Sequence, residues 1–314
     1  GYNAVTTAFT KYVSVQWGYD IKAASQCLMV ATVGAVVSYL PVGFLSSRFG
    51  RKRVIQAGVL LLAAVFVVGT ASHGQKRWIY IGSIGFQPSE FAKFVLIIFL
   101  ASICGAAGSM MKKWKGILLV FLWMMPVAGM VMVTNLSTGI IIMGIAFIII
   151  FTASRQWLPF FVLMGLGGGF MGIFLKLASY RLGRIEAWLN VETHPKGYQT
   201  RQSLYAIGSG GLFGRGYGKR IQKLAYIPEA HNDMIFSVIC EEWGLLGAGI
   251  IAALFIFLIW RCLITANSAP DIPGALLTMG VTAHLGLQML INIAVVTNSI
   301  PNTGIPLPFI SYGG

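Results

Sequence analysis

Carboxylates cluster in residues 227–244, where a polar stretch leads into a long apolar run. This segment holds four of the nine acidic residues of the chain, namely Glu229, Asp233, Glu241 and Glu242. Asp233 lies where a helix should begin, so N-capping is one role open to it. Glu241 and Glu242 would lie about 12 Å further along that helix. Ionisable groups inside an apolar helix are usually functional or paired. His231 could orient or protonate a neighbour, or lie on the surface.

A glycine-rich stretch precedes this segment. Residues 208–220 interleave six glycines with arginines and a lysine. Glycines let consecutive backbone N–H groups turn inward as a nest for an anion, and Arg215 could supply countercharge. The stretch has neither the Walker pattern nor the Rossmann pattern. It therefore predicts either an anion-binding loop or a flexible connection.

Residues 77–93 form a second group of chemically useful side chains. Pro88 and Glu90 suit the first turn of a helix. Lys93 does not suit this position, because a cation there opposes the helix dipole. Since Lys93 lies three residues after Glu90, the two side chains share a helix face and should pair in a polar cavity. Arg77 should lie at the membrane boundary, either as an anchor or as part of the site.

Residues 292–314 form a third group, rich in proline and glycine. Such a composition prevents a regular helix, and irregular backbone inside a membrane must line protein or a water-filled cavity. Asn292, Thr303 and Ser311 could supply neutral hydrogen bonds there. A rigid connecting loop is the alternative.

The composition predicts an all-α polytopic membrane protein. Hydrophobic residues make up 56% of the 314 residues, charged residues 10%, and the mean hydropathy is +0.77. About 20 apolar residues suffice for one helical crossing. Apolar runs predict eight spans, at about 24–45, 54–72, 89–108, 117–133, 139–153, 158–178, 233–263 and 274–296. The four cysteines show neither zinc-site spacing nor a disulfide framework.

Basic residues indicate the orientation. They cluster at 47–53, 112–115, 154–156 and 260–262, which are alternate connections, so the positive-inside rule places these in the cytoplasm. All three polar groups then lie on the outer side and could converge on one cavity. Residues 178–232 form a large, basic outer loop. The net charge of +14 predicts anionic partners at the membrane surface and, with this orientation, no nucleic acid.

Four motifs in this order resemble the SEDS family (shape, elongation, division and sporulation) of bacterial cell-wall polymerases, most closely its division branch. They are "QPSEFAK" (87–93), "GYQTRQSLYAIGSGGLFGRGYG" (197–218), "IPEAHNDMIFSVICEEWG" (227–244) and "IPNTGIPLPFISYGG" (300–314). The resemblance covers essentially the whole chain. Members have ten spans, so it implies that residues 1–314 are a single transmembrane domain lacking the first and last helices. One departure is Asn135, where many relatives carry an acidic residue.

The resemblance implies a peptidoglycan glycosyltransferase, which polymerises lipid II at the outer face of the bacterial cytoplasmic membrane. The implied partners are a class B penicillin-binding transpeptidase and other division proteins. Asp233 matches the essential aspartate of the family, and Arg77, Glu90 and Lys93 match its conserved cation and ion pair. Other residues of the motifs and their neighbours are expected to bind or support the substrate: Gln87, Ser89, Gln199, Ser203, Ser209, Gly210, Gly211, Arg215, His231, Glu241, Glu242, Asn292, Thr303 and Ser311.

The implied reaction needs a base for the attacking sugar hydroxyl and cations or N–H donors for the leaving pyrophosphate. Mg²⁺ or Mn²⁺ is a candidate cofactor. A lipid II flippase is the main rival function, because buried charges also serve transport. The elongation or sporulation paralogue of the same polymerase and an inactive scaffold are further alternatives.

Overall fold

The computed structural model describes residue 56 and the ranges 70–72, 75–81, 84–154, 156–176, 179–216 and 232–311. From Thr70 onward these residues lie in one compact unit, Gly58–Gly314. The single domain over residues 1–314 stays a prediction. The first predicted span, 24–45, lies outside the described residues.

The described part of the chain is mainly helical. Three short antiparallel strands come first: β1 (Thr70–Ser72), β2 (Gln75–Ile81) and β3 (Ile84–Phe86). The helices that follow are α1 (Pro88–Ala107), α2 (Trp114–Thr134), α3 (Leu136–Ser154), α4 (Trp157–Lys176), α5 (Ser179–Leu189), α6 (Tyr198–Gly210), α7 (Ile235–Asn267) and α8 (Ile272–Val296). Gly108–Lys112 and Pro195–Gly197 are short 3₁₀ helices.

The predicted all-α polytopic class is confirmed. In the described ranges, five helices are long and apolar enough to cross a membrane: α1 with its 3₁₀ extension, α2, α3, α7 and α8. The predicted span 158–178 is found as α4. The end of the predicted span 54–72 is wrong, because Thr70–Ser72 already form a strand of a hairpin. A strand can end an apolar run without any change of composition, so hydropathy alone missed it.

Two apolar clusters hold the helices together. In one, buried side chains of α1, α2, α3 and α8 pack against each other. The other joins α6 to α7 and to the end of α8. Between α2 and α3, the turn at Asn135 is tight, and its side-chain Oδ1 accepts a hydrogen bond from the Thr138 N–H. The packing places the first turns of α1, α3 and α7 near the last turns of α8.

The region predicted as a large loop, 178–232, contains two helices in its described part. α6 packs along α7, and the Ser203 hydroxyl, fully buried, donates to the Val296 carbonyl at the end of α8. α5 is bound to the segment after α8, because the Trp188 indole donates to the Asn298 carbonyl at 2.8 Å. A freely solvated loop is therefore wrong for residues 179–211.

Close backbone packing joins the end of α6 to a break in α7. Gly244 has φ 65° and ψ −165°, which interrupts the helical geometry of α7 and leaves carbonyls available. A Cβ on Gly210 would lie 1.9 Å from the Cys240 carbonyl oxygen, so only glycine lets the two backbones approach this closely. The backbones of α6 and α7 are thus in direct van der Waals contact.

The glycines of α6 should respond to substitution with opposite signs. Gly210→Ala should lower the free energy of unfolding by about 1–3 kcal/mol, since the new Cβ overlaps the α7 backbone. Gly208→Ala should raise it by roughly 0.5–1 kcal/mol, because that Cβ meets only open space and alanine favours helix. Thermal unfolding of the purified protein in detergent measures both. Equal shifts for the two variants would contradict the close packing of α6 on α7.

Candidate functional site

A buried ion pair lies at the start of α1. The Lys93 Nζ lies 2.6 Å from Glu90 Oε2, and the side chains are 1% and 39% exposed, respectively. Pro88 occupies the first helical turn and Glu90 lies in it, as predicted. Apart from this ion pair, the Lys93 Nζ has no hydrogen-bond partner among the described residues. The predicted Glu90–Lys93 pair is therefore confirmed, with the cation on its buried side.

This pair faces a polar cleft between α1, α3, α8 and the segment that follows α8. The cleft is partly open, and the space between its walls, open solvent included, is about 340 Å³. Its lining includes residues from two of the groups predicted from the sequence, 77–93 and 292–314. The lining residues are Gln87, Glu90, Lys93, Asn135, Thr138, Ile141, Gln288, Gly304, Ile305 and Pro306. Such a cleft suits a polar or charged group of a substrate.

Asp233 lies beside the same cleft, in the turn before α7. A Cβ on Gly304 would lie 3.7 Å from Asp233 Oδ2, and Gly304 itself lines the cleft. The residue is 9% exposed. Its Oδ1 accepts from Gln199 Nε2 at 3.2 Å, and the Asn292 amide donates to the Asp233 carbonyl at 2.7 Å. The three sequence groups thus meet at one place.

Asp233 is not the N-cap of α7. The cap position belongs to Met234, with no side-chain cap hydrogen bond, and the helix begins at Ile235. The capping role that the sequence left open is therefore wrong, because the chain turns once more before the helix starts.

The anion-nest interpretation is wrong for residues 214–216 of the glycine-rich stretch. The N–H groups of Arg215 and Gly216 donate to the carbonyls of Glu241 and Glu242, at 2.9 and 3.1 Å, and the Gly214 N–H donates to Gly210. Backbone carbonyls thus already accept from these three N–H groups, which are not left for an anion. The break at Gly244 exposes those carbonyls, and no local pattern of residues indicates such a break. Residues 217–220 lie outside the described ranges.

The other candidate residues fall into three groups. At the start of α1, the Gln87 amide donates to the Ser89 hydroxyl. The Asn292 amide also donates to the carbonyl of Ile305, a lining residue, and so holds that part of the cleft wall in place. Several support the backbone away from the cleft: Ser203, Ser209, Gly210, Gly211, Arg215 and Ser311. Glu241, Glu242 and Thr303 are buried or half-buried and do not line the cleft. The Arg77 side chain and His231 lie outside the described residues.

Sequence reasoning missed Thr138 and Gln288, which line the cleft, and Asn302, whose amide donates to Gln199 Oε1. A signal existed for Gln288, since His284, Gln288 and Asn292 recur at intervals of four on an apolar helix and so share one face. His284, Gln288 and Asn292 are all buried. Nothing local marked Thr138 or Asn302, whose roles depend on contacts with distant segments.

No group of three or more His, Cys, Asp or Glu side chains in the described ranges is arranged to hold a metal ion. Mg²⁺ is commonly held by one or two carboxylates together with substrate phosphates, which needs no such group. Asp233 could serve as that single carboxylate. The divalent cation stays a prediction.

Comparison with known proteins identifies the family. A family model described as "Cell cycle protein", covering FtsW, RodA and SpoVE, matches residues 2–314. The chain belongs to this family. Stage V sporulation protein E of Bacillus subtilis is 37% identical over 93% of this chain and 82% of its own length. A probable peptidoglycan glycosyltransferase FtsW of Coxiella burnetii is 36% identical over 95% and 83%.

Solved structures show the same fold. One chain comes from a peptidoglycan synthase complex studied for the structural coordination of polymerization and crosslinking. It is 26% identical with a TM-score of 0.70, over 98% of this chain and 90% of that chain. The rod shape determining protein RodA of Thermus thermophilus is 25% identical with a TM-score of 0.64, over 99% and 87%. With its apolar helices, the chain is a membrane protein of this fold.

Proposed function

We propose that this protein is a peptidoglycan glycosyltransferase that polymerises lipid II into glycan strands. The observation that carries the proposal is the position of Asp233 beside Gly304, which lines the same polar cleft as the Glu90–Lys93 pair. Relatives named as probable peptidoglycan glycosyltransferases support it, at 32–37% identity. The motifs resemble the division branch, which favours septal synthesis. The sporulation paralogue, matched at similar identity, is the alternative role.

Asp233 is the general base in this reaction. The 4-hydroxyl of the acceptor sugar attacks the anomeric carbon of a lipid-linked donor, and its proton passes to the Asp233 carboxylate. The bond from the anomeric carbon to the pyrophosphate oxygen breaks as the new glycosidic bond forms. The lipid pyrophosphate leaves with the electron pair. General base catalysis of this kind contributes roughly 10²–10⁴-fold in rate.

Lys93 stabilises negative charge in the cleft. Its ammonium has three N–H donors, and Glu90 is its only partner among the described residues. The remaining donors are suited to phosphate oxygens of the donor substrate. Because Lys93 is buried, its interaction with an anion is stronger than it would be in water. Glu90 holds the ammonium in place and balances its charge when the cleft is empty.

The cleft opens on the outer side of the cytoplasmic membrane, where a class B penicillin-binding transpeptidase crosslinks the product. The alternation of basic connections supports this orientation. The similarity to a chain of a complex that coordinates polymerization with crosslinking supports the partner. Other division proteins would assemble around the pair.

Synthesis of glycan from purified lipid II tests this function. The full-length protein, reconstituted with its transpeptidase partner, should lengthen lipid II into glycan chains visible on a gel. A lipid II flippase would instead move fluorescent lipid II across vesicles and form no glycan. Transport without polymerisation by a well-folded complex would overturn the proposal.

Accessibility of single cysteines tests the orientation. In a background with Cys27, Cys104, Cys240 and Cys262 replaced, Thr193→Cys should react with a membrane-impermeant thiol reagent added outside intact cells. Lys113→Cys should react only after the cells are opened, because basic connections remain in the cytoplasm. Both positions are exposed on the protein, so reactivity reports the side of the membrane. Labelling of Lys113→Cys from outside would contradict the outward-facing cleft.

A further inference from the structure

Asn302 is linked to the proposed base, Asp233, through one intervening side chain, that of Gln199. It lies in the segment that follows α8. Its Nδ2 donates to Gln199 Oε1 at 2.9 Å, and its Oδ1 accepts from the Gly304 N–H at 3.1 Å. Gln199 in turn donates to Asp233 Oδ1 at 3.2 Å. The four residues therefore form one continuous row of hydrogen bonds, from a backbone N–H to the carboxylate.

The direction of this row is fixed at its first member. A backbone N–H can only donate, so the Asn302 atom that faces Gly304 must be the carbonyl oxygen. The Asn302 amide nitrogen then faces Gln199 and donates, which requires the Gln199 oxygen on that side. The Gln199 nitrogen is left to face Asp233. If the Gln199 amide were turned over, its oxygen would face the carboxylate and its nitrogen would face the Asn302 nitrogen.

The segment that carries Asn302 is held from outside the cleft. Arg184 Nη1 donates to the Asn302 carbonyl at 3.2 Å, and the Trp188 indole donates to the Asn298 carbonyl. Gly304 has φ 65°, which suits glycine and turns its N–H back toward Asn302. The outer helix α5 thus fixes the place of Asn302, and Asn302 fixes the orientation of Gln199.

We infer that Asn302 is a positioning residue for the transferase reaction: it orients the Gln199 amide so that Gln199 donates to Asp233 Oδ1 and holds the carboxylate at the cleft. This inference rests on the proposed function of Asp233. The Asn302 side chain is linked to the Asp233 carboxylate through Gln199, so the proposed effect on turnover passes through that amide.

The test compares Asn302→Ala with Asn302→Asp in the full-length protein bound to its transpeptidase partner. Asn302→Asp has the same shape and keeps an acceptor for Gly304, so it should fold at least as well as Asn302→Ala. It has no donor for Gln199 and should turn that amide over. Both variants should lower kcat on lipid II by on the order of 10- to 100-fold with little change in KM. Asn302→Asp should be the less active of the two, although the more stable.

A double-mutant cycle separates positioning from a merely structural role. If Asn302 acts through Gln199, adding Asn302→Ala to Gln199→Ala should cause no further loss of kcat. Losses that multiply, or an Asn302→Asp enzyme with wild-type kcat, would overturn the inference. Asn298→Gly is the matched control: it removes an asparagine side chain from the same segment at φ 57°, where glycine is at ease, and should leave kcat unchanged.

These experiments also distinguish a failure of the positioning role from a failure of the proposed transferase function. Glycan synthesis by the wild-type complex, together with unaffected Asn302 variants, would overturn the positioning role alone. A wild-type complex that is correctly assembled and forms no glycan would overturn the proposed function, and the positioning role with it.

Discussion

Asp233→Asn is expected to stop glycan synthesis while leaving the protein folded and bound to its partner. Asparagine keeps the shape of the side chain and can still accept from Gln199, but it cannot take up the proton of the attacking hydroxyl. The rate of polymerisation should fall by roughly 10²–10⁴-fold. Turnover of lipid II by the purified complex measures the rate, and binding of lipid II to the variant should persist.

Asp271→Asn is the matched control for this experiment. Asp271 also precedes a helix, since it is the N-cap of α8 and makes no side-chain cap hydrogen bond. It is exposed and does not line the cleft. The same chemical change there should leave turnover near the wild-type rate. Near-normal synthesis by a well-folded Asp233→Asn protein would remove Asp233 from the mechanism.

The membrane-spanning helices were predictable because bilayer thickness sets their length. A run of about 20 apolar residues has one common solution in a membrane, a helix, and α1, α2, α3 and α8 begin and end within a few residues of the predicted spans. Hydropathy could not predict helices α5 and α6. Their composition is polar, and their stability comes from contacts with α7, α8 and the segment after α8 that no local pattern reveals.

The site was predictable where its chemistry depends on local spacing. Glu90 and Lys93 lie one helical turn apart, so any helix over these residues brings them together. The roles of Gly210 and Asn302 depend on residues 30 or more positions away in the chain, such as the Cys240 carbonyl and the Gln199 amide. A glycine needed for close backbone packing and a glycine in an anion nest look the same in sequence. That ambiguity explains the wrong prediction of a nest.

Removing the charge of Glu90 is expected to lower the free energy of unfolding more than removing the charge of Lys93. Glu90→Gln leaves the Lys93 ammonium buried without a counterion, and by analogy with broken buried pairs this costs about 3–5 kcal/mol. Lys93→Met leaves Glu90, which is 39% exposed and can be hydrated, so the free energy of unfolding should fall less. Unfolding of the purified variants in detergent, by heat or denaturant, measures both.

The double variant Glu90→Gln/Lys93→Met should be less destabilised than the sum of the two single changes, because it leaves no unpaired charge in the apolar interior. Its stability should lie nearer to that of Lys93→Met than to that of Glu90→Gln. Polymerisation should nevertheless stay low, since the cleft has then lost the cation that we propose stabilises the leaving pyrophosphate. Lys115→Met, at an exposed lysine, should change stability by no more than about 0.5 kcal/mol. Strict additivity of the two single changes would show that the pair does not interact, and recovered turnover in the double variant would show that Lys93 serves folding alone.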